Sequence, residues 1–161
     1  MPVLDLLPAA PEDADAVRSL VRAAYAPYVE RIGLEPAPMN ADYRQAILDG
    51  AVDVVREDGE IVAVVVTRDR GDHLLLENIA VAPSRQGGGF GAQILDWAET
   101  RTRALGHDEV RLYTHEKMVE NVAFYLRHGF EITGIADEDE FRRIHFRKVC
   151  RRDTDQIRRA P

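Results

Sequence analysis

The chain has 161 residues, 45% of them hydrophobic and 30% charged, which is typical of one soluble globular domain with a sizeable core. Its net charge of −7 argues against a nucleic-acid-binding protein, and its single cysteine, Cys150, excludes an internal disulfide framework and a cysteine-rich zinc site. No apolar run reaches the roughly 18 residues of a membrane span, and no basic leader precedes the first apolar segment, so we expect a cytoplasmic protein without a membrane partner.

The N-terminal part of the chain predicts a short strand and two helices. Val3 to Leu7 is a strand candidate, and apolar residues at helical spacing predict a helix from Pro11 to about Tyr25. The proline-rich stretch from Pro27 to Met39 is interpreted as a loop. Asn40 is a suitable N-cap for a second helix, which is predicted to end at Leu48.

The middle of the chain predicts three strands in succession. Two of them, Val52 to Arg56 and Ile61 to Thr67, flank Asp58-Gly59, which is a strong hairpin signal. The third strand runs from Leu74 to Val81. These strands are expected to pair mainly in the antiparallel sense before the chain reaches a glycine-rich turn.

The C-terminal part predicts helices and strands in alternation. A helix from about Gly89 to Leu105 precedes a strand from Val110 to Thr114, and a second helix covers Val119 to Arg127. A final hairpin is predicted from the strands Phe130 to Ile135 and Phe141 to Val149. The element order β-α-α-β-β-β-α-β-α-β-β is typical of a mixed α/β fold.

Closely spaced glycines separate the strand that ends at Val81 from the following helix. They are Gly87, Gly88, Gly89 and Gly91. Glycines let a backbone approach a ligand closely, and a helix that begins there adds unsatisfied N–H donors and the positive end of its dipole. The turn therefore predicts a site for a phosphate or pyrophosphate group, with a purely structural loop as the alternative.

A dinucleotide-binding turn is a further alternative, because Gly87, Gly89 and Ala92 fit the pattern G-x-G-x-x-G/A. That pattern requires the glycines to follow directly on the first strand of a parallel βαβ unit. Here Pro83 to Arg85 intervene, and the preceding hairpin makes the sheet antiparallel. We therefore reject a Rossmann-type site.

A second motif points to a different family. Asn121, Tyr125 and Gly129-Phe130 form N-x-x-x-Y-x-x-x-G-F, and the glycine turn itself contains Q-x-x-G-x-G starting at Gln86. Together with the order of elements from Val3 to Val149, this pair of motifs resembles the GCN5-related N-acetyltransferases, the GNAT superfamily.

The resemblance implies a single-domain α/β GNAT fold over residues 1–149, followed by a polar tail over residues 150–161. In such a fold, a mixed and mostly antiparallel sheet with splayed central parallel strands is flanked by helices. The resemblance also implies acetyl-CoA as co-substrate, with its pantetheine arm on the main chain of the strand Leu74 to Val81 and its pyrophosphate on the glycine turn. The residues implied to bind it are Ile79, Ala80, Val81, Gln86, Gly87, Gly88, Gly89, Phe90, Gly91, Ala92 and Asn121.

Acetyl transfer to a primary amine needs two proton transfers. An alkylammonium of pKa near 10.4 must first lose a proton, at a cost of about 4–5 kcal/mol at pH 7, and the leaving thiolate then gains from a proton donor. The resemblance places the hydroxyl of Tyr125 close to the sulfur, which makes Tyr125 the candidate acid. Glu77 is the candidate base because strand alternation puts its carboxylate on one face with Ile79 and Val81. The alternative is a surface carboxylate, with solvent as the base.

The acceptor is expected to be a small-molecule or peptide amine, and His115 and Glu116 are candidates to line its entrance. No spacing of His, Asp or Glu residues predicts a metal site. A homodimer through the hairpin Phe130 to Val149 is expected by analogy with the family. Phe141 to Val149 is expected to be its outer strand, and the charges of that strand either protect a solvent-facing edge or meet the acidic surface of a partner. These charges are Arg142, Arg143, Arg147 and Lys148. The rival function is a GNAT-fold domain that binds acyl-CoA as a sensor or structural ligand without turnover.

Overall fold

The computed structural model describes residues 3–150. The predicted polar tail therefore lies outside the described residues, except for its first member, Cys150. That residue is not part of a loose tail, because its side chain is buried and its N–H donates to the carbonyl oxygen of Asp108 at 2.6 Å. Cys150 thus belongs to the packed structure.

The described residues form seven strands and four α-helices in the predicted order. In chain order they are β1 (Leu7–Pro8), α1 (Ala14–Ile32), α2 (Tyr43–Leu48), β2 (Val52–Glu57), β3 (Glu60–Asp69), β4 (Leu74–Val81), α3 (Phe90–Ala104), β5 (Glu109–His115), α4 (Val119–Arg127), β6 (Glu131–Glu138) and β7 (Phe141–Val149). The strands make one sheet of order β1-β2-β3-β4-β5-β7-β6. No helix in this part of the chain combines the length and the hydropathy that crossing a membrane requires.

The sheet is mixed and mostly antiparallel, which confirms the predicted fold class. β1 with β2, β2 with β3, β5 with β7 and β6 with β7 all pair in the antiparallel sense. β4 and β5 are parallel, and their register runs from Leu74 opposite Val110 to Leu76 opposite Leu112. The remaining residues of β4, 77–81, have no β5 partner in this register of the described chain.

The chain folds as two compact units. The N-terminal unit contains residues 3–67 and 77–94, and its core forms where α1 and α2 pack on the sheet. Helical spacing puts Val17 and Val21 of α1 on the buried side, where they join Ile47 of α2 and Val54 of β2. These apolar side chains supply the burial that holds β4 against the helices.

The C-terminal unit contains residues 68–76 and 95–150. Along β5 and β7 the side chains alternate between a buried face and a half-exposed face, as strand geometry requires. Leu112 and Phe146 lie on the buried face, and the ring of Tyr125 in α4 packs 5.6 Å from that of Phe146. The opposite face carries polar and aromatic residues that include Tyr113 and Arg143.

The first helix is longer than predicted. The stretch that begins at Pro27 was interpreted as a loop, but α1 continues to Ile32 with Pro27 inside it. Proline costs the helix one main-chain hydrogen bond. Burial of Ile32 and ring contacts of Tyr25 and Tyr28 favour continuation, and Gly33 ends the helix at a φ of 91°.

Three further predictions about elements were wrong. The first strand is Leu7–Pro8 rather than Val3 to Leu7. Asn40 does not cap α2, because it closes a 3₁₀ turn and the side chain of Asp42 accepts from the N–H of Gln45 at 3.0 Å. The edge strand of the final hairpin is β6 and not β7, since β7 lies between β5 and β6.

Candidate active site

Strand β4 presents its side chains as the alternation predicted. Glu77, Ile79 and Val81 share the less buried face, whereas Asn78 and Ala80 are buried on the other. Glu77 is therefore the carboxylate on an otherwise apolar face that the sequence indicated. Because β4 has no β5 partner beyond Leu76 in the described register, this segment keeps a main-chain edge with which an extended ligand can pair.

The glycine-rich turn leads from β4 into α3. A 3₁₀ turn over Pro83–Arg85 comes first, and the chain is exposed up to Gly89. Gly87 and Gly89 have φ values of 81° and 84°, a conformation in which a side chain is strained. Space is open at Gly87, where a Cβ would have no neighbour within 4 Å.

Helix α3 begins at this turn and offers main-chain donors to it. The N–H of Gln93 donates to the carbonyl oxygen of Gly89 at 3.2 Å, which is the bond that opens the helix. The N–H groups of Phe90, Gly91 and Ala92 consequently have no intrahelical acceptor. Together with the positive end of the helix dipole, they suit an anionic group such as a pyrophosphate.

Side chains next to the turn are already engaged within the N-terminal unit. Arg85 Nε donates to Glu57 Oε2 at 2.6 Å. Gln86 Nε2 donates to the carbonyl oxygen of Val81 at 3.1 Å. The Tyr25 hydroxyl lies 3.3 Å from the carbonyl oxygen of Ile79. Each carbonyl can accept a second bond, because a carbonyl oxygen has two lone pairs.

A buried polar network lies behind β4, and the predictions from the sequence do not include it. The hydroxyl of Tyr25 donates to Asn78 Oδ1 at 2.6 Å, and Asn78 Nδ2 donates to the hydroxyl of Tyr43 at 3.1 Å. Tyr43 in turn donates to the carbonyl oxygen of Pro38 at 2.5 Å. An asparagine inside the apolar run LLLENIAV was the signal for it, since a buried amide needs partners.

The same network keeps Tyr43 neutral. Burial raises the pKa of Tyr43 far above its ordinary value, the hydrogen bond from Asn78 lowers it, and the negative charge of Glu77 raises it further. Tyr43 is therefore a permanent hydroxyl donor to Pro38. Because Asn78 stands between Glu77 and Ile79, these hydrogen bonds fix the part of β4 that carries both residues.

In the C-terminal unit, α4 carries the other two predicted site residues. Asn121 and Tyr125 are half-buried and lie one helical turn apart, on one side of the helix. Asn121 Nδ2 lies 3.6 Å from the sulfur of Met118, which is buried. The ring of Tyr125 is held between Phe130 at 5.8 Å and Phe146 at 5.6 Å, so packing sets its position.

His115 ends β5 and is bonded to the loop that follows. Its Nδ1 accepts the N–H of Lys117 at 3.1 Å, and burial lowers the pKa of the imidazole. Because Nδ1 accepts a hydrogen bond, the proton of the neutral imidazole is on Nε2. Its neighbour Glu116 accepts from Arg142 Nε at 3.1 Å, so Glu116 already has a cationic partner.

The predicted site residues thus fall into two groups. Glu77, the segment Ile79 to Val81 and the turn Gln86 to Ala92 belong to the N-terminal unit. Asn121 and Tyr125 belong to the C-terminal unit. Within the first group, one strand and the turn that follows it bring the residues together. Within the second, a single helix does so.

Comparison with known proteins identifies the fold. The family model described as the acetyltransferase (GNAT) domain matches residues 49–132, which is more than half of the chain. Among curated proteins, no sequence matches. Solved structures do match over nearly the whole chain, at identities so low that they show the fold alone.

Three of these structures illustrate the match. The PaiA N-acetyltransferase of Thermoplasma acidophilum, in complex with coenzyme A, has a TM-score of 0.76 at 15% identity, over 92% of this chain and 99% of its own. The ribosomal-protein-S18-alanine N-acetyltransferase of Escherichia coli has a TM-score of 0.69 at 16% identity, over 91% and 93%. The GNAT-like decarboxylase GphF, in complex with isobutyryl-CoA, has a TM-score of 0.71 at 17% identity, over 91% and 100%.

Proposed function

Because the chain belongs to the GNAT acetyltransferase family, we propose that it is an N-acetyltransferase that transfers the acetyl group of acetyl-CoA directly to a primary amine. The observation that carries this proposal is the exposed glycine turn at the start of α3, where main-chain donors without an intrahelical acceptor follow two glycines with positive φ. Similar folds with coenzyme A or isobutyryl-CoA bound support the same class of substrate.

Main-chain groups would hold most of the acetyl-CoA. The N–H groups from Gln86 to Ala92 would bind the pyrophosphate, because they lie at the start of α3 and the turn lacks side chains at its glycines. The main chain from Ile79 to Val81 would pair with the pantetheine arm along the part of β4 that has no β5 partner in the described register. Asn121 would contribute a side-chain amide.

Two side chains would handle the protons. Glu77 would take a proton from the acceptor ammonium, directly or through a water molecule, which frees the nitrogen lone pair to attack the thioester carbonyl. The carbon–sulfur bond breaks as the tetrahedral intermediate collapses, and the Tyr125 hydroxyl would donate its proton to the departing thiolate. No covalent bond to the enzyme is needed.

The decisive experiment measures free thiol released from acetyl-CoA, propionyl-CoA and isobutyryl-CoA over a panel of primary amines. We expect release that depends on the amine and is fastest with acetyl-CoA. A protein that binds acetyl-CoA but releases thiol no faster with amines than by hydrolysis would be a sensor rather than an enzyme. Mass spectrometry of the amine product separates acetylation from decarboxylation of the acyl group.

We also propose that two copies of the chain associate through β6. This strand is at the edge of the sheet, and its Ile132 and Ile135 are 46% and 52% exposed. Exposed apolar residues on an edge strand favour pairing with a second strand. Light scattering of the wild type and of an Ile132→Glu/Ile135→Glu variant tests this. A monomer mass for both proteins at micromolar concentration would contradict it.

A further inference from the structure

The half-exposed face of β5 and β7 carries a group of aromatic and charged side chains that the proposed chemistry does not use. We call it the β5–β7 face cluster, and its members are Tyr113, His115, Glu138, Phe141, Arg143 and His145. The antiparallel register places His115 opposite Arg143 and Tyr113 opposite His145. All of these residues belong to the C-terminal unit.

Arg143 contacts two rings and a carboxylate of this cluster. Its guanidinium carbon lies 4.6 Å from the centre of the Tyr113 ring and 5.3 Å from that of Phe141. Its Nη1 donates to Glu138 Oε2 at 3.3 Å, and only 16% of its side chain is exposed. Two rings and a carboxylate therefore fix the orientation of the guanidinium plane.

Arg143 nevertheless has hydrogen-bond capacity left. A guanidinium offers five N–H donors, and among the described residues only Nη1 of Arg143 has an acceptor. The one fully buried side-chain nitrogen or oxygen without a partner in this part of the chain is Arg101 Nε. The Nε and Nη2 atoms of Arg143 are consequently not fully buried, and no described residue accepts from them.

The neighbours of Arg143 include one acceptor, Glu138, and two imidazoles, those of His115 and His145. Glu138 is shared, because its Oε1 also bonds His145 Nε2, and this bond contributes most to the lowered pKa of Glu138. His115 stands across the strand pair, where its Nδ1 is occupied by the N–H of Lys117 and its Nε2 carries the proton. An oriented guanidinium fork beside an imidazole N–H matches the geometry of a carboxylate.

The cluster adjoins the start of α4. The N–H of Met118 donates to the carbonyl oxygen of His115 at 3.0 Å, and that of Asn121 donates to the carbonyl oxygen of Met118 at 3.0 Å. Two successive hydrogen bonds thus connect the cluster to the helix that carries Asn121 and Tyr125. A ligand group bound at Arg143 would lie at the end of β5 from which this helix departs.

From this arrangement we infer that Arg143, together with Nε2–H of His115, binds a carboxylate on the acceptor, so that the amines acetylated are of the amino-acid type. The inference rests on the proposed acetyl transfer and adds its substrate class. Glu138 competes with the acceptor for Arg143, which limits the affinity of the site.

The test compares unbranched amino acids of increasing length between amine and carboxylate with their carboxamides, as acceptors of the acetyl group. For the best length, we expect kcat/KM of the acid to exceed that of the amide by about 10- to 100-fold, as for a hydrogen bond to a charged group. Arg143→Gln should remove this difference without changing the affinity for acetyl-CoA. Equal kcat/KM for acid and amide, or a preference that survives in Arg143→Gln, would overturn the inference.

Two further variants separate recognition from a structural role. Arg142→Gln is the matched control, because Arg142 is on the same strand but on the other face, where it bonds Glu116 and Asp137. This variant should keep the preference for the acid. Glu138→Gln should lower KM for the acid by freeing Arg143, whereas a purely structural Arg143–Glu138 pair predicts a lower melting temperature and no fall in KM.

Failure of the proposed function gives a different result. If no amine is acetylated, calorimetric titration of the same amino acids into the CoA-loaded protein still measures their binding. Binding that Arg143→Gln abolishes would support the carboxylate site and leave acetyl transfer as the failed proposal. Absence of binding for every length, in wild type and variants, would overturn the carboxylate site itself.

Discussion

The two units differ in the atoms that they offer to a ligand. The N-terminal unit offers main-chain groups, along β4 and at the start of α3, and its polar side chains Tyr25, Tyr43 and Asn78 bond one another instead. The C-terminal unit offers side chains such as Tyr125 and Arg143, which rings hold in place. Apart from Glu77, the proposed base, substitutions in the N-terminal unit should therefore alter backbone conformation and binding, whereas those at Tyr125 and Arg143 should alter chemistry or selectivity.

The largest effect is expected for Tyr125→Phe, because it removes one hydroxyl and leaves the packing intact. Turnover should fall by about 10- to 1000-fold, the range for general acid–base groups. The phenyl ring still packs against Phe130 and Phe146, so affinity for acetyl-CoA should change little. Steady-state kinetics with calorimetry check both. Equal turnover at neutral pH would mean that solvent protonates the thiolate.

A somewhat smaller effect, on binding, is expected for Gly89→Val. A β-branched residue at a φ of 84° is strained by about 1–3 kcal/mol. Relief of that strain, together with the bulk of the side chain, should move the N–H groups of the turn away from the pyrophosphate, so we expect acetyl-CoA binding to weaken by about 10- to 100-fold. Gly59→Val is the matched control, since Gly59 has a φ of 81° in the β2–β3 hairpin. The control should lose similar stability but keep its affinity. Unchanged affinity in Gly89→Val would rule out the glycine turn as the pyrophosphate site.

The buried network should affect stability more than chemistry. Tyr43→Phe leaves Asn78 Nδ2 and the carbonyl oxygen of Pro38 without their phenolic partner, at an expected cost of about 1–3 kcal/mol in the free energy of unfolding. Because the network is coupled, Asn78→Leu in the same chain should cost less than the sum of the single variants. Urea titrations measure this. Strict additivity would show that Tyr43 and Asn78 act independently.

The smallest effect is on the pH dependence of stability, and it concerns Asp13, a hydrogen-bonded carboxylate of the N-terminal unit. Asp13 Oδ2 accepts from Arg56 Nη2 at 2.5 Å and from the N–H of Ala10 at 2.8 Å, and the bond from Arg56 is the main reason that its pKa is lowered. A carboxyl whose folded pKa is lowered stabilises the fold above its unfolded pKa of about 3.9 and loses that contribution as pH falls through the folded pKa.

Asp13→Asn should therefore lower stability at neutral pH and flatten its decline below about pH 4. Asp15→Asn controls for the loss of one negative charge, because Asp15 is exposed two residues further along. Denaturant unfolding between acid and neutral pH gives the two profiles. Parallel profiles for wild type and Asp13→Asn would show that this ion pair contributes nothing to the pH dependence.

Local sequence patterns predicted those strands and helices that have a clear signal of their own. Alternation in LLLENIAV predicted the face of β4 that carries Glu77. Asp58-Gly59 predicted the hairpin of β2 and β3. The end of α1 was missed because burial of Ile32 outweighs the hydrogen bond lost at Pro27. The pairing of β7 with both β5 and β6 depends on contacts distant in sequence, which no local pattern contains.

The side-chain environments were the least predictable part of the site. Asn78 was visible as a polar residue in a strand, but its partners Tyr25 and Tyr43 come from two helices, and only the tertiary structure brings them together. Arg143 resembled a charge that protects an edge strand. Its ring contacts follow from the register of β5 and β7. Because β7 pairs with β5 on one side and β6 on the other, β6 is the edge strand.

Because Cys150 is buried, the rate at which its thiol is alkylated reports local opening of the structure around it. This single thiol is 2% exposed, and burial raises its pKa to about 11, so an alkylating reagent reacts only when the end of β7 opens. The rate of modification then measures the free energy of that opening. Any ligand that tightens the C-terminal unit would slow the labelling, which gives a screen for acceptors that requires no turnover.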